Sequence, residues 1–367
     1  MSKTSNGTGA AEKNLAQIDF DQLTKLVASE FQIKEAVIEH GAPMFYLGEQ
    51  QETKQAFLRL LKNLEPMSLI ALLRREAGQV VLRVIPKPAV KPSNILTNWA
   101  LFFATIATTF VSGYMLSPDL INPLVGGASF TVAVMAVLGI HEMGHKITAN
   151  RKGIEATPPY FIPGPPPLFG GFGTFGAVIM QKSLPSNKDA LFDVGADGPI
   201  AGFIIAVIVS TIGLTLLIPS PHVPGTSSIG VPIAWDIIGR LLQTLNMFPK
   251  APAGWDLLLH PVAFAGWVGM LVTTLNLLPV AMLDGGHVAR SVLDEKLSLR
   301  VVLAAFSIAY LVIEGLIPMA FLVVFMLFFR HPGPLDDVSN LSTGRKLVAL
   351  GLVAIFILCA VPLQPIF

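Results

Sequence analysis

The stretch Gly139-Ile140-His141-Glu142-Met143-Gly144-His145 closes an apolar run, Ala128 to Ile140, that reads as a membrane-spanning helix. Residues four apart share one face of a helix, so His141 and His145 can reach the same metal ion. Glu142 lies one step round the helix, placed to take a proton from a water that the metal activates. A charge at mid-bilayer costs very roughly 3 kcal/mol, so three such groups together call for a reason. The bland alternative is a pair of helix-end histidines at a membrane surface. The pattern itself predicts a zinc hydrolase whose site lies in a membrane.

Composition agrees with a membrane setting. Apolar residues make up 52% of the 367 residues and charged residues only 13%, too apolar for an ordinary soluble domain. A formal charge of +1 gives no footprint for nucleic acid. The single cysteine, Cys359, excludes an intrachain disulfide framework and a cysteine-based zinc cluster.

Charge is unevenly spread along the chain. Twelve of the 25 Lys and Arg residues precede residue 92, which predicts a soluble first quarter and a membrane remainder. Residues 1–12 read as a flexible tail, 13–85 as a small soluble α+β domain, 86–97 as a Pro-rich linker and 98–367 as the membrane domain. Within 13–85, Phe20, Leu23, Leu26 and Val27 are helically spaced after Asp19. Two short strands are expected around His40-Gly41, a helix over Gln51 to Leu64, and two further strands around Ala77-Gly78. No cluster of catalytic residue types falls there, so this domain is expected to dock or regulate, with a regulatory partner possible.

Seven spans are expected: Asn98–Leu116, Ala128–Ala149, Leu191–Ile218, Val262–Val280, two short ones from Arg300 to Phe329 broken at Glu314-Gly315, and Leu347–Leu363. Lys146, Arg151 and Lys152 follow the motif span, and Arg290, Lys296, Arg300, Arg330, Arg345 and Lys346 cluster later. The positive-inside rule puts these, with the N-terminal domain, on the cytoplasmic or stromal side. A helix over Ile233 to Leu245, in the loop Pro219 to Leu259, is expected to lie on the opposite membrane surface.

Thr157 to Gln181 is rich in Pro and Gly. Bare backbone cannot face lipid, so this segment must pack on protein or line a watery cavity. A re-entrant hairpin over Phe169 to Met180, with Gly173 and Gly176, would offer a strand edge to an unwound peptide. An interfacial loop without a substrate role is the alternative.

A catalytic zinc needs a third protein ligand. Asp193, Asp197, Asp284 and Glu314 lie in or beside later spans. Pro279 breaks backbone bonding before Asp284, and Gly285-Gly286 allow close approach of another backbone, whereas an Asp beginning a helix can also serve as its cap. His287, one turn beyond Asp284, could stand behind a ligand, but the reading preferred from sequence is an interfacial histidine.

The motif in its span, together with Gly266-Trp267-Val268-Gly269, Asn276-Leu277-Leu278-Pro279 and Leu283-Asp284-Gly285-Gly286-His287, resembles the site-2 protease family of intramembrane zinc metalloproteases. Residues 128–295, including Gly198-Pro199, carry the resemblance. The N-terminal domain and the later spans look like the cyanobacterial and plastid branch, although Ala281-Met282 stands where many relatives have Gly-Gln. The resemblance implies His141, His145 and Asp284 as ligands of one zinc ion, Glu142 as general base and Asn276 as a holder of substrate backbone. It implies cleavage in or near the transmembrane segments of other proteins, in a bacterial inner or thylakoid membrane. Two further readings stand beside it: a membrane metal transporter or sensor using the same ligands, and an anchored zinc protease that cuts soluble peptides.

Overall fold

The structure is a computed structural model, and it describes residues 20–39, 41–48, 52–89, 92–222, 230–280, 282–293, 297–328 and 332–360. The expected tail at 1–12, the Asp19 cap, and Ala281, Lys296 and Arg330 fall outside the described residues. The chain divides into two compact units.

In the first unit, Leu23 and Val27 recur at helical spacing and face inward from α1 (Phe20–Ala28). Phe57, Leu60 and Leu64 do the same in α2 (Lys54–Leu64). Strands β1 (Ile33–Glu39), β2 (Ala42–Leu47), β3 (Leu69–Glu76) and β4 (Gln79–Pro86) form an antiparallel sheet in the order β1-β2-β4-β3. Alternate residues Leu69, Ala71 and Leu73 of β3 point into the core with Phe45, Phe57 and Leu82. These elements match the α+β pattern read in the sequence.

Two later segments, Ser183–Leu191 and Pro332–Ser342, belong to this same unit, although sequence alone assigns them to the membrane domain. Leu73 donates its N–H to the Leu335 carbonyl at 2.9 Å, and Asp337 donates back to the Leu73 carbonyl at 3.1 Å. Leu335 and Asp336 in turn donate to the carbonyls of Pro185 and Ser186 at 2.8 and 3.0 Å. The open edge of β3 is thereby covered, which protects it from pairing with other chains. Asp336 is wholly buried, and its Oδ1 accepts the N–H groups of Val338 and Ser339 at 2.9 Å each.

The second unit is helical. Among the described residues, three helices are long and apolar enough to cross a membrane: α3 (Ile95–Met115), α4 (Pro123–Arg151) and α5 (Lys188–Thr215), the last with its first turn in the other unit. At 29 residues, α4 extends about 43 Å, more than a bilayer's hydrocarbon core. It starts before the expected Ala128 because Asn122 caps it, accepting from Leu124 N–H at 2.9 Å, and Pro123 suits a first helical position. Phe130, Val134, Val137 and Leu138 of α4 pack inward, while Val132, Ile140, Met143 and Ile147 stay exposed on the other faces.

The Gly/Pro segment forms a hairpin in which β5 (Tyr160–Pro163) pairs with β6 (Thr174–Val178). It is wider than the expected Phe169 to Met180, because Tyr160 to Pro163 supplies the partner strand. A second hairpin joins β7 (Ile218–Pro221) to β8 (Trp255–Leu258) around α6 (Ile233–Thr244). Trp235, Ile238 and Leu242 of α6 are buried, while Ile233, Ile237 and Leu241 are exposed.

Shorter helices complete the unit: α7 (Pro261–Leu277), α8 (Asp284–Leu293), α9 (Leu297–Ile313), α10 (Ile317–Met326) and α11 (Thr343–Cys359). The chain breaks between α9 and α10 at the expected place, where Gly315 takes φ +71.

Candidate metal centre

Helix α4 carries His141, Glu142 and His145 on its buried face, with exposures of 2%, 4% and 5%. Its partner there is α5, and glycines stand at the points of closest approach. A Cβ on Gly198 would overlap the His145 ring, and one on Gly202 would stand 2.7 Å from His141 Nδ1. A Cβ on Gly144 of the motif would likewise stand only 2.6 Å from the Asp197 carbonyl oxygen. Small residues let two backbones approach far enough to wall a site made of imidazoles.

Asp284 arrives from the other side. Helix α7 ends at Leu277, before Pro279, and α8 starts at Asp284 itself. A Cβ on Gly285 would overlap the Leu277 carbonyl, so glycine is what lets this turn fold tightly enough to deliver the carboxylate.

The three donor atoms make a nearly equilateral triangle. His141 Nε2 and His145 Nε2 are 3.1 Å apart, and Asp284 Oδ2 lies 3.2 and 3.1 Å from them. A tetrahedral ion with bonds of ~2.0–2.1 Å spaces its ligand atoms by about 3.3 Å, so the triangle fits such an ion. His145 Nδ1 donates to the Val194 carbonyl at 2.6 Å, which leaves its Nε2 with a free lone pair. Electron-rich atoms converging on one point in a buried site call for a cation. Among the described residues this is the group of three His, Cys, Asp or Glu side chains that can hold a metal ion.

Other expected residues fall into place around it. Asn276, on the last turn of α7, puts its side-chain amide 3.1 Å from His141 Nε2. Phe161 of β5 packs with Phe130, Val134, Val137 and Leu138 of α4, and a Cβ on Gly139 would meet its ring at 3.9 Å, so the hairpin lies beside the motif helix. Gly173 is pressed against α3: its N–H donates to Pro165, and its carbonyl takes the Thr108 hydroxyl at 2.6 Å and the Gly164 N–H. Gly176 has φ +104 and open space where a side chain would be.

The remaining acids are used elsewhere. Asp193 pairs with Arg345 and Lys152, and Asp197 accepts the Thr148 hydroxyl. Glu314 sits in the turn between α9 and α10. His287 is a correction to the interfacial reading: it is buried at 9% exposure, with its Cβ against Gly195 of α5. Sequence reasoning missed Gly202 and the Val194 carbonyl. A lone helix glycine has many causes, and a backbone carbonyl leaves no residue-type signal.

Two histidines one helical turn apart, a carboxylate from a second helix and an adjoining glutamate define the class of metal-dependent hydrolases built on this motif. The profile of Peptidase family M50 matches residues 129–316, just over half the chain, and the chain belongs to that family. This bears out the resemblance to site-2 proteases. The protein named "Probable zinc metalloprotease EGY2, chloroplastic" of Arabidopsis thaliana is 29% identical over 79% of this chain and 53% of its own length. "Probable zinc metalloprotease EGY1, chloroplastic" of Oryza sativa subsp. japonica is 29% identical over 63% of this chain and 40% of its own. The chain thus spans about half the length, or less, of these relatives. No solved structure matches it.

Proposed function

We propose that the chain is an intramembrane zinc endopeptidase that hydrolyses peptide bonds in or near transmembrane segments of other membrane proteins. The observation that carries this is the buried His141–His145–Asp284 triangle, with Glu142 beside it, on a helix long and apolar enough to cross a bilayer. One zinc ion per chain, held by those three residues, would lower the pKa of a water to about 7 and polarise the scissile carbonyl. Glu142 takes the proton of the attacking water and later hands it to the leaving amine. The Val194 carbonyl keeps the His145 ring in the tautomer that this arrangement requires.

Asn276 reaches the same point and can donate to a substrate carbonyl or accept from its N–H. The outer edge of β6, with Gly176 bare of side chain, is the surface on which an extended peptide would align. Gly173 serves that surface indirectly, by seating the hairpin on α3. A helical substrate hides its peptide bonds and must unwind before it can lie there.

The protein is proposed to be an integral, multi-pass membrane protein of about seven spans, with the α+β unit on the cytoplasmic or stromal side. The α+β unit contributes no donor to the metal group and is assigned a docking or regulatory part. The transporter or sensor reading asks for further ligand sets along a path, and no second such group exists among the described residues. A protease for soluble peptides would present its motif to water, whereas His141, Glu142 and His145 are buried among apolar helices.

The experiment is to incubate purified protein with single-span substrates, with and without a zinc chelator, and to measure bound metal in wild type and Asp284→Ala. Wild type should hold one zinc and cut the substrates until the chelator is added; Asp284→Ala should lose both. Full zinc and cleavage in Asp284→Ala would refute the ligand set.

A further inference from the structure

Helix α5 is weakest where it matters most to the metal centre. Val194, whose carbonyl holds His145, lies in the turn leading to Gly198-Pro199. Pro199 has no N–H, so the helix bond that would run back to the Gly195 carbonyl is missing, and Gly195 and Gly198 stiffen nothing. Something outside α5 must therefore fix where the Val194 carbonyl stands.

Three rungs do so. His145, Thr148 and Lys152 recur on one face at the end of α4 and meet Val194, Asp197 and Asp193 of α5 in turn. The Lys152–Asp193 rung is 2.6 Å long. A fourth group reinforces it from α11: Arg345 grips Asp193 with both arms, Nε on Oδ1 and Nη2 on Oδ2, each at 2.6 Å. The carboxylate is only 18% exposed, and a bidentate fork is the geometry in which such a pair is strong and directional. Arg345 lies beyond residue 316, outside the stretch that defines the family.

We infer that Asp193, clamped by Lys152 and Arg345, is a positioning residue for the metal ligand His145, acting through the Val194 carbonyl next to it in sequence. The inference rests on the metal-centre reading and assigns helix α11 a part in that centre.

The test compares wild type with Arg345→Leu, Arg345→Lys, Asp193→Asn and the control Arg240→Leu, which breaks an exposed pair with Asp236. Three quantities are measured: the rate at which a chromogenic chelator strips zinc, the visible spectrum of the cobalt-loaded protein, and the thermal unfolding of the metal-free protein. Arg345→Leu and Asp193→Asn should release zinc about ten-fold faster, in the range seen when groups behind a metal ligand are removed, and should shift the cobalt bands. With a substrate, kcat should fall and KM should hold. Arg345→Lys, which keeps the charge but not the fork, should recover part of the loss, and Arg240→Leu should match wild type.

If Arg345→Leu does not fold, the milder Arg345→Lys and Asp193→Asn decide. Variants that bind and release metal as wild type does, with an unchanged spectrum and only a lowered unfolding temperature, would reduce the clamp to a structural staple and overturn the inference. A wild type that binds no metal would overturn the metal-centre reading along with it.

Discussion

Glu142 and Gly198 show two ways in which one residue governs this site. Glu142 is not among the converging donors, yet it is buried beside them. Glu142→Gln keeps the shape and removes the capacity to accept a proton. It should retain one zinc per chain by metal analysis and lose nearly all cleavage of a single-span substrate. Turnover close to wild type with zinc in place would remove Glu142 from the role of base. Gly198 acts by having no side chain, since a Cβ there overlaps the His145 ring. Gly198→Ala must displace either that ring or α5, at a cost of about 1–3 kcal/mol. Bound zinc should fall well below one per chain, whereas Gly344→Ala, with open space at its Cβ, should bind as wild type does. The histidine pair and the glutamate were legible in the sequence because a helix fixes their spacing. By residue type Asp284 stood among four acids; the family resemblance pointed to it, and the structure brings its carboxylate to the two histidines. The glycines of α5 were silent because what they do is defined by the helix opposite.

At the scale of elements, periodicity marked the α+β strands and the long apolar helices well. It failed where partners are distant in sequence. The strand facing β6 is Tyr160–Pro163, and no local pattern announces it across the Pro-rich turn. The two segments beside β3 are likewise short and polar, and long-range pairing alone makes them extended. The hairpin beside the motif helix carries a prediction about substrates. An α-helical segment has no free backbone to offer an edge strand, so part of the barrier is the cost of unwinding it. A proline in a helix interior lowers helix stability by about 3 kcal/mol and a glycine by about 1 kcal/mol. Introducing either one a few residues from the cut site should therefore speed cleavage by the wild-type enzyme, proline more than glycine. Measured initial rates that fall with both substitutions would mean that the enzyme recognises the helix itself.

For the whole molecule, the first unit constrains how often the chain crosses the bilayer. Met1–Lys91, Ser183–Leu191 and Pro332–Ser342 build one compact unit, so all three must lie on one side. The connections between them must then each cross an even number of times. Residues 92–182 hold α3 and α4, each long and apolar enough to cross once. Between 192 and 331 lie α5 and α7, with α9 and α10 as a further pair. An uninterrupted helix in place of α9 and α10 would leave Pro332–Ser342 on the wrong side to cover β3. With α11 the proposed total is seven, the number that the clusters of Lys and Arg ask for. Single cysteines replacing exposed Lys62, Asn340 and Lys250, in a Cys359→Ala background, make this measurable in oriented vesicles. A membrane-impermeant thiol reagent should reach Lys62→Cys and Asn340→Cys from the same side, and Lys250→Cys from the other. Labelling of Asn340→Cys together with Lys250→Cys would require α9 and α10 to cross as one. The contacts between β3 and Leu335 to Asp337 could not then form, and both the seven-span count and the extended first unit would fall together.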